Sequence, residues 1–250
     1  MNASVTRVEV ATVWTSPDAP RGIDTPAVVD EPDLAAWVSA LTPPLRLGLH
    51  GRTLTQLLRG EPVLVVEEQG DWVRIAAPWQ PSPDDERGYP GWVRRSHLTA
   101  SDVASTSTGI HGATPQSRLT SSYEEPAAWR RAVMDLARQF VGLRYLWGGL
   151  SPWGFDCSGL VHFSYRVAGF VVPRDASAQH AASTPVLLGD EKPGDLYFFG
   201  RDLSRATHVG FVAGDRQMLH APEGGGLIEE APMRPERRQS LIGAGRLLPV

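Results

Sequence analysis

Apolar and polar positions divide the chain into two stretches of different rhythm. From Val8 to about Thr99, short β-prone runs at residues 8–14, 62–67, 71–76 and 91–93 are separated by turn residues. Their brevity, and the alternation of apolar with polar positions in some of them, predict the strands of a small barrel. Between the first two runs, Leu34, Trp37, Val38 and Leu41 recur at helical spacing over residues 33–47, and Pro43-Pro44 is expected to stop that helix.

Residues 100–118 carry Ser, Thr, Gly, Pro and Gln with few large apolar side chains, a composition that burial cannot order. The domain boundary is therefore expected there, with an N-terminal domain at 1–104, an insertion near 31–50, a linker at 105–120 and a second domain at 121–250. Ser122-Tyr123-Glu124-Glu125 reads as a capping box, and Pro126 suits an early helical position. A helix follows to about Phe140 on a stripe of Trp129, Val133, Leu136 and Phe140. Next come a Gly/Trp-rich loop, a helix from Cys157 to about Ala168, a loop through Pro173, and strands near 196–199, 208–212, 217–220 and within 242–248. Helices first and strands after predict an α+β domain, a sheet packed on a small helical bundle.

Composition narrows the function. The 250 residues are 42% hydrophobic, enough for a core, and the net charge of -4 has both signs interspersed. No basic stripe for nucleic acid and no polybasic segment for an anionic membrane is present. Residues 1–10 lack the features of a signal peptide, and no stretch approaches a transmembrane helix, so a cytoplasmic protein is expected. A single cysteine excludes an internal disulfide and a Cys-rich zinc site. His50, His97, His111, His162 and His180 show no metal-ligand spacing, and no metal or cofactor is expected.

That single cysteine stands in Gly154-Phe155-Asp156-Cys157-Ser158-Gly159-Leu160, where a glycine-rich turn gives way to a helix-like run. A thiol in the first helical turn feels the positive end of the macrodipole, which is expected to lower its pKa. A lone cysteine is more often a small buried hydrophobe, but polar neighbours on both sides argue for a nucleophile. Its base has two candidates: His208 on one predicted strand and His220 at the end of the next, positions that antiparallel pairing brings side by side.

Tyr145-Leu146-Trp147-Gly148-Gly149, Phe155-Asp156-Cys157-Ser158-Gly159-Leu160-Val161, Val172-Pro173-Arg174-Asp175, Pro193-Gly194-Asp195-Leu196, Thr207-His208-Val209-Gly210 and Leu219-His220-Ala221-Pro222 follow one another in an order and spacing that resembles the NlpC/P60 family of papain-like cysteine peptidases. The resemblance implies Cys157 as nucleophile, His208 as general base and then acid, His220 as the residue orienting it, and Tyr145 as an oxyanion donor. It also implies substrate contacts at Asp156, Ser158, Asp175 and Trp147. The N-terminal stretch resembles a bacterial SH3-like domain, through the Ser16-Pro17 strand end, Gly60-Glu61-Pro62-Val63, Gly70-Asp71-Trp72-Val73 and Gly88-Tyr89-Pro90-Gly91-Trp92-Val93.

Together these likenesses imply an α+β papain-like catalytic domain behind an all-β SH3-like barrel with a helical insertion. They imply cleavage between γ-D-glutamate and a diamino acid in peptidoglycan stem peptides. One subgroup with this pairing of domains releases L-alanyl-γ-D-glutamate from free murein peptides. Ala176 departs from the pattern, standing where a serine would add a polar contact. A secreted hydrolase of intact wall and a noncatalytic binder of wall fragments are the alternatives. The expected partner is a murein peptide, with no nucleic acid or membrane, and the oligomeric state stays open.

Overall fold

The computed structural model describes residues 2–100, 126–202, 205–214, 216–224 and 226–248. The expected linker at 105–120 and the capping box at Ser122 lie outside the described residues. The first half comprises β1 (Asn2–Thr6), β2 (Val10–Trp14), α1 (Thr25–Val28), α2 (Leu34–Ala40), α3 (Pro43–Leu47), β3 (Thr53–Leu58), β4 (Pro62–Gln69), β5 (Trp72–Ala77), β6 (Tyr89–Arg94) and β7 (Leu98–Ala100). In the second half are α4 (Pro126–Arg138), β8 (Leu150–Ser151), β9 (Gly154–Phe155), α5 (Cys157–Val167), α6 (Ala176–Ala182) and β10 (Thr184–Val186). They are followed by β11 (Leu196–Gly200), β12 (Ala206–Gly214), β13 (Gln217–His220), β14 (Glu229–Pro232), α7 (Pro235–Gln239) and β15 (Leu241–Arg246).

The N-terminal strands form one sheet in the order β3-β2-β6-β5-β4-β1-β7. β1 and β2 lie on opposite sides of its centre, yet only Arg7, Val8 and Glu9 connect them. Four Cα steps span at most about 14 Å, so the sheet must curl until its two sides approach. Val13, Leu57, Val63, Val73, Ile75 and Val93 pack inside that curl. The expected barrel is not closed: among the described residues β3 and β7 do not pair with each other, and β2 meets β6 through the single register Trp14↔Trp92. The helical insertion is present in a corrected form. α2 ends at Ala40, but Pro43-Pro44 open a further helix, because proline at the first helical positions gives up only an N–H that has no helical partner.

The second sheet is antiparallel in the order β10-β15-β11-β12-β13-β14. α4, α5 and α6 cover it, with α5 and α6 both lying against β12. α5 is buried almost all round, and Phe155, Leu160, Val161 and Phe163 join Val209 and Phe211 from the sheet in one core. That core continues into the first half, where Trp14, Trp37 and Leu49 belong to the same buried cluster. Burial therefore fixes the first half against the helix that carries Cys157. No helix among the described residues is long and apolar enough to cross a membrane.

Candidate active site

Cys157 is the first residue of α5, and Asp156 is its N-cap, extended in backbone and accepting from Gly159 N at 2.6 Å. The other Asp156 oxygen accepts from Gly148 N at 3.0 Å, which ties the Gly/Trp-rich loop to the helix start. Gly159 permits this contact, since a Cβ there would run into the Gly149 carbonyl. β12 and β13 supply the imidazoles. Gly210 faces His220 across the two strands, and a Cβ on it would lie 2.8 Å from His220 Cβ. His208 Nε2 and His220 Nδ1 are 2.9 Å apart, with the rings nearly perpendicular.

His208 Nδ1 is buried and has no hydrogen-bond partner. Cys157 Sγ, a His208 ring nitrogen and a Glu223 carboxylate oxygen lie within 4.8 Å of one another, with His208 Nδ1 at 3.4 Å from Glu223 Oε1. Beyond His220, its Nε2 is 3.5 Å from Glu229 Oε1. The Tyr145 hydroxyl is likewise buried without a partner.

The cleft above Cys157 measures about 270 Å³. Tyr145, Trp147, Asp156, Ser158 and Asp175 all line it with Cys157, so the structure brings every sequence-predicted site residue except the two histidines into its lining, and His208 approaches the sulfur from outside that lining. The first half contributes Thr53, Leu54 and Tyr89 to the same cleft. Tyr89 donates to Asp175, with its hydroxyl 2.9 and 3.1 Å from the two carboxylate oxygens. Trp147 donates from Nε1 to Thr53 O at 3.1 Å and stacks on His50 at 3.6 Å. In the sequence Tyr89 stands out only within a strand motif and His50 only as a histidine without metal-ligand spacing, while Glu223 and Glu229 show no local signal.

The electrostatics correct one expectation. Burial, followed by the negative charges of Asp156 and Glu223, pushes the Cys157 thiol up to about 12. The N–H groups of Val209 and Ser158 pull the other way and lose. A helix N-terminus acts over one turn, whereas desolvation acts on the whole thiolate charge. Cys157 is therefore a neutral thiol at rest and needs a base. Burial lowers the His208 pKa, with Glu223 opposing, and takes His220 to about 3, helped by the neighbouring His208. Burial, first, and the neighbouring Cys157 hold Tyr145 protonated. It also raises Asp175, against Arg174 and Tyr89.

These depressed histidines predict acid sensitivity. His162, buried with Nδ1 2.8 Å from the Val172 carbonyl, is also taken to about 3 by burial. Below an unfolded-state pKa of about 6.5 the unfolded chain binds these protons and the folded chain does not, so stability falls as pH drops. His162 and His220 should each remove roughly 1.4 kcal/mol per pH unit between about 6 and 3. Thermal midpoints measured from pH 7 to 4.5 should decline steeply, and His162→Asn, whose amide keeps a donor for Val172, should blunt the decline.

The comparisons agree with this geometry. The sequence model of the NlpC/P60 family matches residues 142–246. A Bacillus subtilis protein named gamma-D-glutamyl-L-lysine dipeptidyl-peptidase is 33% identical, over 88% of this chain and 90% of its own length. A Bacillus cereus protein of the same name is 30% identical over 97% of this chain and 90% of its own. The crystal structure of an NlpC/P60 family protein from Bacillus cereus superposes with a TM-score of 0.85 at 27% identity, covering 99% of this chain and all of that one. Because the likeness runs through both halves and not along one motif, the chain belongs to the NlpC/P60 family and is a cysteine-type peptidase.

Proposed function

We propose that this peptidase cuts the bond between γ-D-glutamate and a diamino acid in free peptidoglycan stem peptides, releasing L-alanyl-γ-D-glutamate. The observation that carries the reading is the Tyr89–Asp175 contact, by which the first half borders the cleft. Tyr89 and Thr53 from the first half line it together with Asp175 and Ser158 from the second, and in this reading the half-buried Asp175 carboxylate, held by Tyr89, marks where the chain of a substrate stops. A free N-terminal ammonium finds its counter-charge there, and a longer chain meets a wall. The two Bacillus relatives are named for a γ-D-glutamyl-L-lysine bond and for release of a dipeptide, which supports this reading. We read the first half, residues 1–104, as an SH3-like module serving as that wall, joined by a linker at 105–120 to the catalytic domain, in a cytoplasmic protein.

In this reading Cys157 Sγ gives its proton to His208 Nδ1 and attacks the γ-glutamyl carbonyl, whose π pair moves onto oxygen. His208 then holds its other proton on Nε2 and donates it to His220 Nδ1, leaving the His220 Nε2–H directed at Glu229. The oxyanion is met by the Cys157 N–H and the Tyr145 hydroxyl, whose unpartnered state at rest supports that role. Collapse breaks the C–N bond, and His208 protonates the departing amine. Water, deprotonated by the same ring, adds to the thioester and frees the dipeptide and the thiol. Asp156, Ser158, Asp175 and Trp147 hold the acyl side.

Mass spectrometry of products from L-alanyl-γ-D-glutamyl-L-lysine and its diaminopimelate counterpart tests the reading. The dipeptide should be released, and acetylating the alanine should lower kcat/KM by about 100-fold, the scale of losing one partner of a buried charge pair. Cleavage of intact sacculi with no action on free peptides would instead establish the secreted-hydrolase alternative.

A further inference from the structure

Among the described residues, Glu223 is the one carboxylate beside Cys157 and His208 that the scheme above leaves unused. It follows β13 by three residues, and an oxygen of it lies within 4.8 Å of the Cys157 sulfur. Its side chain is 41% exposed, so it belongs to the surface of the site and not to the core. Among the described residues its one ion-pair partner is His208, a ring that burial keeps from charging. Burial pushes its pKa up, but the His208 ring beside it, first, and then Arg237 and His50 bring it below the usual carboxylate range and hold it ionised. It is thus an anion with no committed cation, standing against the nucleophile.

Its side of the nucleophile is informative. The acyl cleft is lined by Thr53, Tyr89, Asp156, Ser158 and Asp175, and Glu223 is absent from that lining. A group close to the sulfur but outside the acyl cleft borders the approach by which the amine leaves. His50 stacks on Trp147, which lines the acyl cleft, and also feels the Glu223 charge, so it stands between that cleft and Glu223.

We propose that Glu223 reads the leaving-group side of the substrate, pairing its carboxylate with the side-chain ammonium of the diamino acid. This rests on the dipeptide-releasing function proposed above and gives it a second charged end. Asp175 meets the ammonium of the first residue and Glu223 that of the third, with Cys157 between them. Pairing with the substrate also draws the carboxylate from His208 Nδ1, the nitrogen that must accept the thiol proton. A cationic third residue therefore binds and at the same time clears the base.

The test compares L-alanyl-γ-D-glutamyl-L-lysine with the same peptide carrying L-norleucine, which keeps the stem and lacks the ammonium. Wild type should favour lysine by about tenfold or more in kcat/KM. Glu223→Gln should collapse that ratio toward one through the lysine peptide, and Glu223→Asp, which keeps the charge, should restore part of it. An unchanged ratio in Glu223→Gln, or equal losses on both peptides, overturns the inference while dipeptide release by wild type still upholds the function. Absence of release by wild type overturns both. A thermal melt of each variant separates a loss of fold from a loss of preference.

Discussion

Cys157→Ala should abolish dipeptide release, lowering kcat by at least about 10⁴-fold, the scale seen when a covalent nucleophile is removed. The loss is this large because the site offers no substitute. A His208 ring nitrogen lies within 4.8 Å of the sulfur, and with the sulfur gone the ring can at most activate a water at a carbonyl that is no longer activated by a thioester. The variant should remain folded: the thiol is a small group in an apolar cluster, and alanine leaves a void of about one atom. Product analysis by mass spectrometry reads the activity, and an unchanged near-ultraviolet circular dichroism spectrum shows that the fold is intact. His208→Ala should approach the same loss, whereas His220→Ala, which alters only the alignment of the base, should cost less. A Cys157→Ala protein that still released the dipeptide at a tenth of the wild-type rate would remove Cys157 from the mechanism.

The contrast between Cys157 and its surroundings shows where sequence reading has reach. Features set by neighbours in the chain were legible. Asp156 caps α5 because its carboxylate needs only Gly159 three residues away, and the helix runs close to its expected length, ending at Val167. His208 and His220 are twelve residues apart on consecutive strands, and a hairpin brings such positions together. β1 was missed because Asn2–Thr6 has no apolar run; it is a strand through pairing with β4 and β7, both of which come from far along the chain. Tyr89 and Asp175 are 86 positions apart, and no period joins them. The thiol pKa was misjudged for the same reason. The helix terminus is a local feature, and the burial that overrides it is made by the whole fold.

Arg174→Met should be the most destabilising of the single changes considered, by about 3–5 kcal/mol. The guanidinium is fully buried, and each of its five N–H groups has an acceptor. Nε donates to Thr55 Oγ1 at 2.8 Å, and Nη1 to Asp156 Oδ1 and Ser158 Oγ, both at 3.0 Å. Nη2 donates to Asp156 Oδ2 at 2.7 Å and to the Gly149 carbonyl at 3.4 Å. One side chain therefore joins β3 of the first half, the Gly/Trp-rich loop and the start of α5. Methionine fills much of the volume but leaves the Asp156 carboxylate buried beside a sulfur, with its charge compensated only by the Gly148 and Gly159 N–H groups and the Ser158 hydroxyl. For a chain of this size the loss corresponds to a fall in Tm of roughly 10 °C. Lysine should not rescue it, because one ammonium cannot present five donors in a plane. Asp156→Asn in the Arg174→Met background should recover part of the loss by removing the stranded charge, and a double-mutant cycle on thermal melts measures that coupling. Additive losses in the cycle would show that the two groups are not acting as a pair, and Arg174 would then stabilise the site through packing and Thr55 alone.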